Sequence, residues 1–300
     1  MPETTVVIVN PAAGGGRGAR RAPAAIAALR DAGLQLEIKE TSAAGEASAI
    51  AAEAHRKGVR RVVAAGGDGT AFEVLNGLLP AALSTGDQTI LGLLPLGTGN
   101  SFVRDFSTEG TAYCVEALSS RRHRPCDILR VTHDGQSLFA MGGVSLGFGA
   151  AVAAVTNRHL KPLGKLGYSL GVLTKLITLR TDDITLGWDG QAPTPRPMSL
   201  LTLGNNRYVG GNMLMTPDAR IDDGVADLLI AGRVGRLELL RTFPKIFKGT
   251  HIDHPAIEMH RVAAVDFVFE APVDVMVDGE SLSLQLERVE VLPRAIEVAL

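Results

Sequence analysis

The stretch from Arg61 to Leu79 constrains the fold more than any other in this chain. Arg61-Val62-Val63 carries the β-branched run of a buried strand; Phe72, Leu75, Leu78 and Leu79 follow at helical spacing, with Glu73 and Asn76 among the polar positions between them. The two patterns meet in Ala64-Ala65-Gly66-Gly67-Asp68-Gly69-Thr70, a strand-to-helix turn. Glycine lets the backbone curl this tightly, and its amides, with the positive end of a helix dipole, make an anion site. Asp68 is out of place in such a cradle. A bare carboxylate repels a phosphate unless it holds a divalent cation or meets a hydroxyl of the bound molecule. Taken alone, the segment also admits a plain structural turn that packs helix on strand, as the lesser alternative.

The same alternation runs through the N-terminal half. Thr5–Asn10 reads as a strand closed by Asn10-Pro11, followed by the loop Ala12–Ala19 and a helix to about Ala32. Leu34–Lys39 is a second strand and Ala47–Lys57 a second helix. Ile90–Leu94 is a fourth strand, running into Pro95-Leu96-Gly97-Thr98-Gly99-Asn100. Strands alternating with helices predict a parallel sheet covered on both faces, with ligands at the carboxyl ends of its strands. All three glycine loops belong to that edge. The first also satisfies G-x-G-x-x-[GA] at Gly14–Ala19, with Glu37 or Glu40 about 20 residues on, as in an NAD(P)-binding oxidoreductase. Asn10-Pro11, standing between strand and glycines, departs from that fingerprint. No G-x-x-x-x-G-K-[ST] occurs, which excludes a P-loop.

From Asp127 the texture changes. Ile128–Thr132, Ser137–Ala140, Ile184–Trp188, Met198–Leu203, Val225–Ala231, Val265–Phe269 and Val273–Val277 are short and β-rich, separated by turn signals such as Asp134-Gly135 and Asp189-Gly190. Two helical stretches, Leu166–Leu179 and Arg236–Lys248, interrupt them. The prediction is an α/β chain. A parallel-sheet nucleotide-binding domain, residues 1–126, is followed by a mainly antiparallel β-sandwich, residues 127–300, with a C-terminal tail that is a candidate to return to the first. The boundary falls in the basic, Pro-containing stretch Ser119–Cys126.

A net charge of −2 and an aromatic content of 4% argue against nucleic acid as a partner. Cys114 and Cys126 have no metal or redox spacing, so the expected setting is reduced and cytoplasmic. No uninterrupted apolar run approaches the ~18 residues of a membrane span, so any membrane contact is expected to be peripheral. Composition leaves a homodimer open.

Gly66-Gly67-Asp68-Gly69-Thr70 after a strand resembles the signature shared by the diacylglycerol kinase catalytic domain, sphingosine kinases and NAD kinases. Four further pieces narrow the likeness. They are Asn10-Pro11-Ala12-Ala13-Gly14, Leu96-Gly97-Thr98-Gly99-Asn100, Asn212-Met213 through Pro217-Asp218-Ala219 to Asp222–Asp227, and Val277-Asp278-Gly279-Glu280. In this order, from about residue 5 to 295, they resemble the bacterial diacylglycerol kinase-like lipid kinases. The resemblance implies transfer of the γ-phosphate of ATP, with Mg2+, to a hydroxyl of a lipid such as diacylglycerol at a membrane surface. The first domain would hold ATP and the second the lipid, with reaction in the cleft between them. It further implies that Asn10, Thr41, Gly66, Gly67, Asp68, Gly69, Thr70, Glu73, Gly97 and Thr98 hold ATP, and that Arg17 meets its phosphates. Asp223, with the backbone carbonyls of Arg220 and Val225, takes the place of a magnesium site. Asp278 takes that of the general base, with Glu280 beside it, and Asp68 joins them in catalysis. Two positions depart from the pattern: Phe72 stands where relatives often have Asn, and Ser101 where they often have Asp.

Local chemistry offers plainer roles for the same residues. Asp222 and Asp223 before Gly224 are turn formers, Asp278-Gly279 is a favoured hairpin turn, and Thr98 can cap a helix beginning near Phe102. Arg158–Arg180 reads as a core-packing helix with a wet face, or as a membrane contact shared with the basic stretch Arg236–Lys248. A non-catalytic lipid-binding module, built on the β-rich half, is the remaining alternative.

Overall fold

The computed structural model describes residues 4–147 and 181–300. The chain divides into two compact units, Met1–Asp127 with Arg294–Leu300, and Ile128–Pro293.

The first unit contains β1 (Thr5–Val9), α1 (Ala13–Asp31), β2 (Leu36–Glu40), α2 (Glu46–Arg56), β3 (Arg61–Gly66), α3 (Asp68–Thr85), β4 (Ile90–Pro95), α4 (Ser101–Arg104) and α5 (Thr111–Ser119). The strands form a parallel sheet in the order β2-β1-β3-β4, with Val7 beside Val63 and Val63 beside Gly92. Every residue of β1 and β3 is buried, which is why both are near-continuous apolar runs. At the edge, β2 alternates half-buried and exposed positions over Leu-Glu-Ile before ending in Lys39 and Glu40. Helix begins at Ala13, inside the segment the sequence presents as a loop. Regular geometry resumes only at Arg17, because Gly14, Gly15 and Gly16 take φ of 62°, 70° and 83°, the left-handed region that side chains disfavour.

The second unit is built from β5 (Arg124–His133, entered from the first unit), β6 (Gln136–Ala140), β7 (Gly143–Gly147), β8 (Asp182–Trp188), β9 (Thr194–Met198), β10 (Leu200–Gly204), β11 (Tyr208–Val209), β12 (Met213–Leu214), β13 (Ala226–Ala231), α6 (Arg236–Thr242), β14 (Ile257–Val262), β15 (Ala264–Val268), β16 (Val273–Val277), β17 (Glu280–Leu284) and β18 (Leu286–Ala299). One antiparallel layer runs β14-β13-β10-β7-β16-β17. The other joins β18, β15, β8 and β9, with β5 and β6 alongside. The end of β18 belongs to the first unit, where Glu297–Ala299 pair in parallel with Ile90–Gly92.

The predicted helix Arg236–Lys248 is shorter than the sequence suggests. It ends at Thr242, and a 3-10 turn spans Phe243–Lys248, because Pro244 has no amide to continue the α-helical ladder. The predicted helix Leu166–Leu179 lies outside the described residues. Among the described residues no helix is long and apolar enough to cross a membrane.

Candidate functional site

In the first unit, β1, β3 and β4 each end in a glycine-bearing loop on the same sheet edge, and polar contacts lace the three loops together. The Asn10 side-chain amide donates to Thr70 Oγ1 at 3.1 Å, joining the first loop to the second, while Asn10 Oδ1 accepts the Ala12 amide at 3.0 Å. Asp68 Oδ1 accepts the Ser101 amide at 2.9 Å, joining the second loop to the third. Arg17 closes the ring: its Nη2 donates to Thr98 Oγ1 at 2.7 Å and its Nε to the Gly14 carbonyl at 2.7 Å. Gly66 and Gly97 are required by space. A Cβ on Gly66 would lie 2.2 Å from Thr70 Oγ1, and one on Gly97 would lie 2.5 Å from the Gly67 Cα. The result is a cradle of turn backbone at the start of α3, carrying one guanidinium and one carboxylate.

Two further residues expected to hold ATP also have structural partners. Glu73 Oε2 accepts the Ala47 amide at 3.2 Å in the first turn of α2, where a carboxylate satisfies an otherwise orphaned N–H and favours the helix dipole. Thr41 continues the sheet past β2, its amide donating to the Val9 carbonyl at 2.9 Å. Thr98 does not cap α4. The N-cap there is Asn100, in the left-handed region at φ 54°, and Thr98 instead accepts from Arg17.

In the second unit, Asp278 and Gly279 form the two-residue turn between β16 and β17, with φ of 47° and 88°. The Asp278 carboxyl group does more than make that turn. Its Oδ1 accepts the amides of Gly142 and Gly143 at 2.8 and 3.0 Å, and its Oδ2 the amide of Met141 at 2.8 Å. Asn205 secures the same turn from β10's end, its Nδ2 donating to the Met141 carbonyl at 2.7 Å and its backbone amide to the Gly142 carbonyl at 2.8 Å. Burial pushes the Asp278 carboxyl above the ordinary carboxylate range; the three amides oppose that shift, and the nearby Glu280 charge adds to it. A carboxylate offers about four lone-pair positions, so the three amides leave Oδ2 able to take one further proton donor.

Asp223 Oδ1 accepts the Val225 amide at 3.3 Å, and its Oδ2 pairs with Arg261. Arg220 lies 3.5 Å from Asp222. Asp227, at the start of β13, is buried with its Oδ2 lacking a hydrogen-bond partner, and Arg261 Nε stands 3.9 Å from its Oδ1. Burial pushes Asp227 up to about 6; Arg261 opposes this, while Asp218 and Asp223 reinforce it. This corner therefore carries more negative charge than Arg261 offsets. A small apolar pocket of about 30 Å³ lies elsewhere in the same unit, lined by Leu200, Leu229, Val234, Leu239, Ile246 and Ile257 among others. His251 Nε2 meets the Met215 carbonyl at 3.0 Å, and burial keeps its pKa below the ordinary imidazole value.

Comparison with known proteins decides the family. The diacylglycerol kinase catalytic domain matches residues 4–131, and the YegS C-terminal NAD kinase beta sandwich-like domain matches residues 142–300. A diacylglycerol kinase of Mycobacterium tuberculosis (strain CDC 1551 / Oshkosh) is 30% identical over 97% of this chain and 93% of its own length. A probable lipid kinase YegS-like protein of Xanthomonas axonopodis pv. citri is 32% identical over 92% of this chain and 90% of its own. A crystal structure of a candidate diacylglycerol kinase from Bacillus anthracis covers 99% of this chain and 95% of that one, at 26% identity and a TM-score of 0.81. The chain belongs to the diacylglycerol kinase-like lipid kinases.

Within this lipid kinase the structure gathers Asn10, Arg17, Gly66, Gly67, Asp68, Thr70, Gly97 and Thr98 in one cradle, and sets Glu73 and Thr41 in supporting contacts. Sequence reasoning passes over three positions that matter to the second unit. Met141 and Gly142 hold Asp278 across 137 and 136 residues of chain, and Asn205 holds Met141 across 64. Their only local signal is the paired residues Gly142-Gly143 and Asn205-Asn206 beside strand ends.

Proposed function

We propose that this protein transfers the γ-phosphate of ATP to a hydroxyl of a diacylglycerol-type lipid. The observation that carries the reading is the laced cradle, in which Asn10–Thr70, Asp68–Ser101 and Arg17–Thr98 contacts pre-set three loops around the amino end of α3. Phosphoryl transfer asks chiefly for positioning and charge neutralisation. Turn amides and the Arg17 guanidinium supply both for a polyphosphate, and Asp68 supplies a carboxylate for its counter-ion or a ribose hydroxyl. Asp278 takes the proton of the acceptor hydroxyl at the open position of Oδ2. Its three amide contacts fix the orientation of the carboxyl group, and its raised pKa strengthens it as a base. Glu280, one residue past the turn, adds negative charge that favours proton uptake.

Magnesium fits the donor chemistry of the Asp223 corner. A carboxylate and the carbonyls of Arg220 and Val225 are hard oxygen ligands, and the buried, unpartnered Asp227 oxygen marks a surplus of negative charge that a divalent cation would balance. An ion bound there would brace the loop before β13. The deciding experiment offers radiolabelled ATP and Mg2+ with a panel of diacylglycerol, monoacylglycerol, phosphatidylglycerol, ceramide and sphingosine. Label in diacylglycerol above the other lipids is expected. Tight NADH binding without ATP binding would favour a dinucleotide enzyme instead, and ATP binding without transfer to any lipid would favour a non-catalytic binding module.

A further inference from the structure

We propose that the segment Arg233–Lys248 is the surface on which this protein docks to an anionic lipid bilayer. The inference rests on the lipid-kinase reading, because a diacyl acceptor resides in a bilayer. Its own evidence is separate. Large exposed hydrophobic side chains are few among the described residues, and three of them, Leu237, Leu240 and Phe247, fall within eleven positions of one another, with Leu237 71% exposed. Basic residues interleave with them. Arg233, Arg236, Arg241, Lys245 and Lys248 are all exposed, against one carboxylate, Glu238, which His254 already meets at 3.0 Å. Arg233 lies 3.8 Å from Asp183; the other four cations make no ion pair among the described residues. The local charge is thus opposite in sign to that of the whole chain, which is −2.

The inner side of the same segment explains why the outer side can afford to stay apolar and exposed. Leu239, Thr242 and Ile246 face inward onto the small apolar pocket and the core of Met213, Met215 and Leu229, and Phe243 packs there as well, edge-on to Phe247 at 5.7 Å. The segment is therefore anchored from beneath. Leu237 and Leu240, three positions apart on α6, fall on one side of that helix, and past Thr242 the 3-10 turn carries Lys245, Phe247 and Lys248, all exposed. Apolar tips flanked by arginine and lysine suit the boundary of headgroup and acyl chain, and the cations select anionic headgroups. A second copy of this chain is a poorer occupant, since like-charged surfaces would oppose one another.

The test uses the purified full chain without ATP, in flotation with vesicles of phosphatidylcholine alone or mixed with phosphatidylglycerol. Binding is expected to need phosphatidylglycerol and to weaken with salt. Lys245→Gln with Lys248→Gln should weaken it about 25-fold, at about five-fold per cation. Phe247→Ser should weaken binding at every salt concentration. Turnover on a short-chain, monomerically dispersed diacylglycerol, which needs no docking, should be unchanged in both variants. Equal binding to the two vesicle types, or binding by both variants within about two-fold of wild type, overturns the proposal. So does a parallel loss on the dispersed acceptor, which would place these residues in the reaction site. Light scattering that shows a dimer broken by the substitutions would give the surface to a second copy. Wild-type protein that floats as expected but phosphorylates no dispersed lipid would sink the kinase reading and leave the docking surface standing.

Discussion

Asp278→Asn separates a catalytic carboxylate from a structural one, and the contacts set its magnitude. Asparagine preserves the favoured turn with Gly279, and its carbonyl can keep the amides of Gly142 and Gly143. Its NH2 group must then face the Met141 amide, now 2.8 Å from Oδ2, so that one N–H loses its acceptor. An unsatisfied buried donor costs about 1–3 kcal/mol, and the two retained bonds weaken once their acceptor is neutral. Removing a charge that burial disfavours offsets part of this loss. The expected net destabilisation is about 1–3 kcal/mol, seen as a melting midpoint lowered by roughly 3–10 °C. Turnover should fall far more, by ~10²–10⁴, with ATP still bound. The base must be ionised, and burial raises its pKa. Wild-type kcat should therefore climb with pH along a limb lying above the ordinary carboxylate range, and the variant should lack that limb. Stability runs the other way: a raised folded pKa favours the native state at low pH, and that contribution fades as pH rises through it. The assay is kcat at saturating ATP, well below the melting midpoint, across pH. Asn205→Ala is the control, since it loosens the same turn through Met141 but keeps the carboxylate. Turnover of Asp278→Asn within about three-fold of wild type would refute the base. Equal losses in both variants would make Asp278 a fastener of the 141–143 turn and nothing more.

Asp68→Ala should abolish phosphoryl transfer while costing about 1.5–3 kcal/mol in a thermal melt, the worth of a bond to a charged acceptor such as that from the Ser101 amide; wild-type activity would remove Asp68 from the reaction. Gly97→Ala pushes a methyl to 2.5 Å from the Gly67 Cα and should part the second and third loops, so calorimetry should show ATP affinity reduced at least ten-fold with the fold intact. Magnesium chloride should raise the melting midpoint, by about 2.7 kcal/mol of stability at a hundred times its Kd, and Asp223→Ala should remove that response. His251 has a folded pKa lowered by burial, so its contribution is present above the ordinary imidazole value near ~6.5 and is lost as pH falls below it through the lowered folded value. His251→Gln should flatten that part of the stability–pH curve, and an unchanged slope would assign the acid sensitivity to another group.

The sequence alone determined the α/β class, the alternation of strand and helix in the first unit, the β-rich second half and the family likeness. Each of these is written over short spans. A β-branched run, a glycine turn and a helical period occupy fewer than twenty consecutive residues in Arg61–Leu79, and burial on both faces is what makes β1 and β3 apolar throughout. Tertiary structure decided what individual polar groups do. Glu73 is a carboxylate on a helix in the sequence, and only the packing of α3 beside α2 turns it toward the Ala47 amide. Thr98 is a plausible cap until Arg17, 81 residues earlier, arrives at its hydroxyl. Asp278-Gly279 is a hairpin by its local chemistry, and nothing near it announces the three amides of residues 141–143. Local conformational preference acts between neighbours and leaves its mark in adjacent residues. A side-chain hydrogen bond depends on where distant strands end, and that geometry exists only once the sheets have formed.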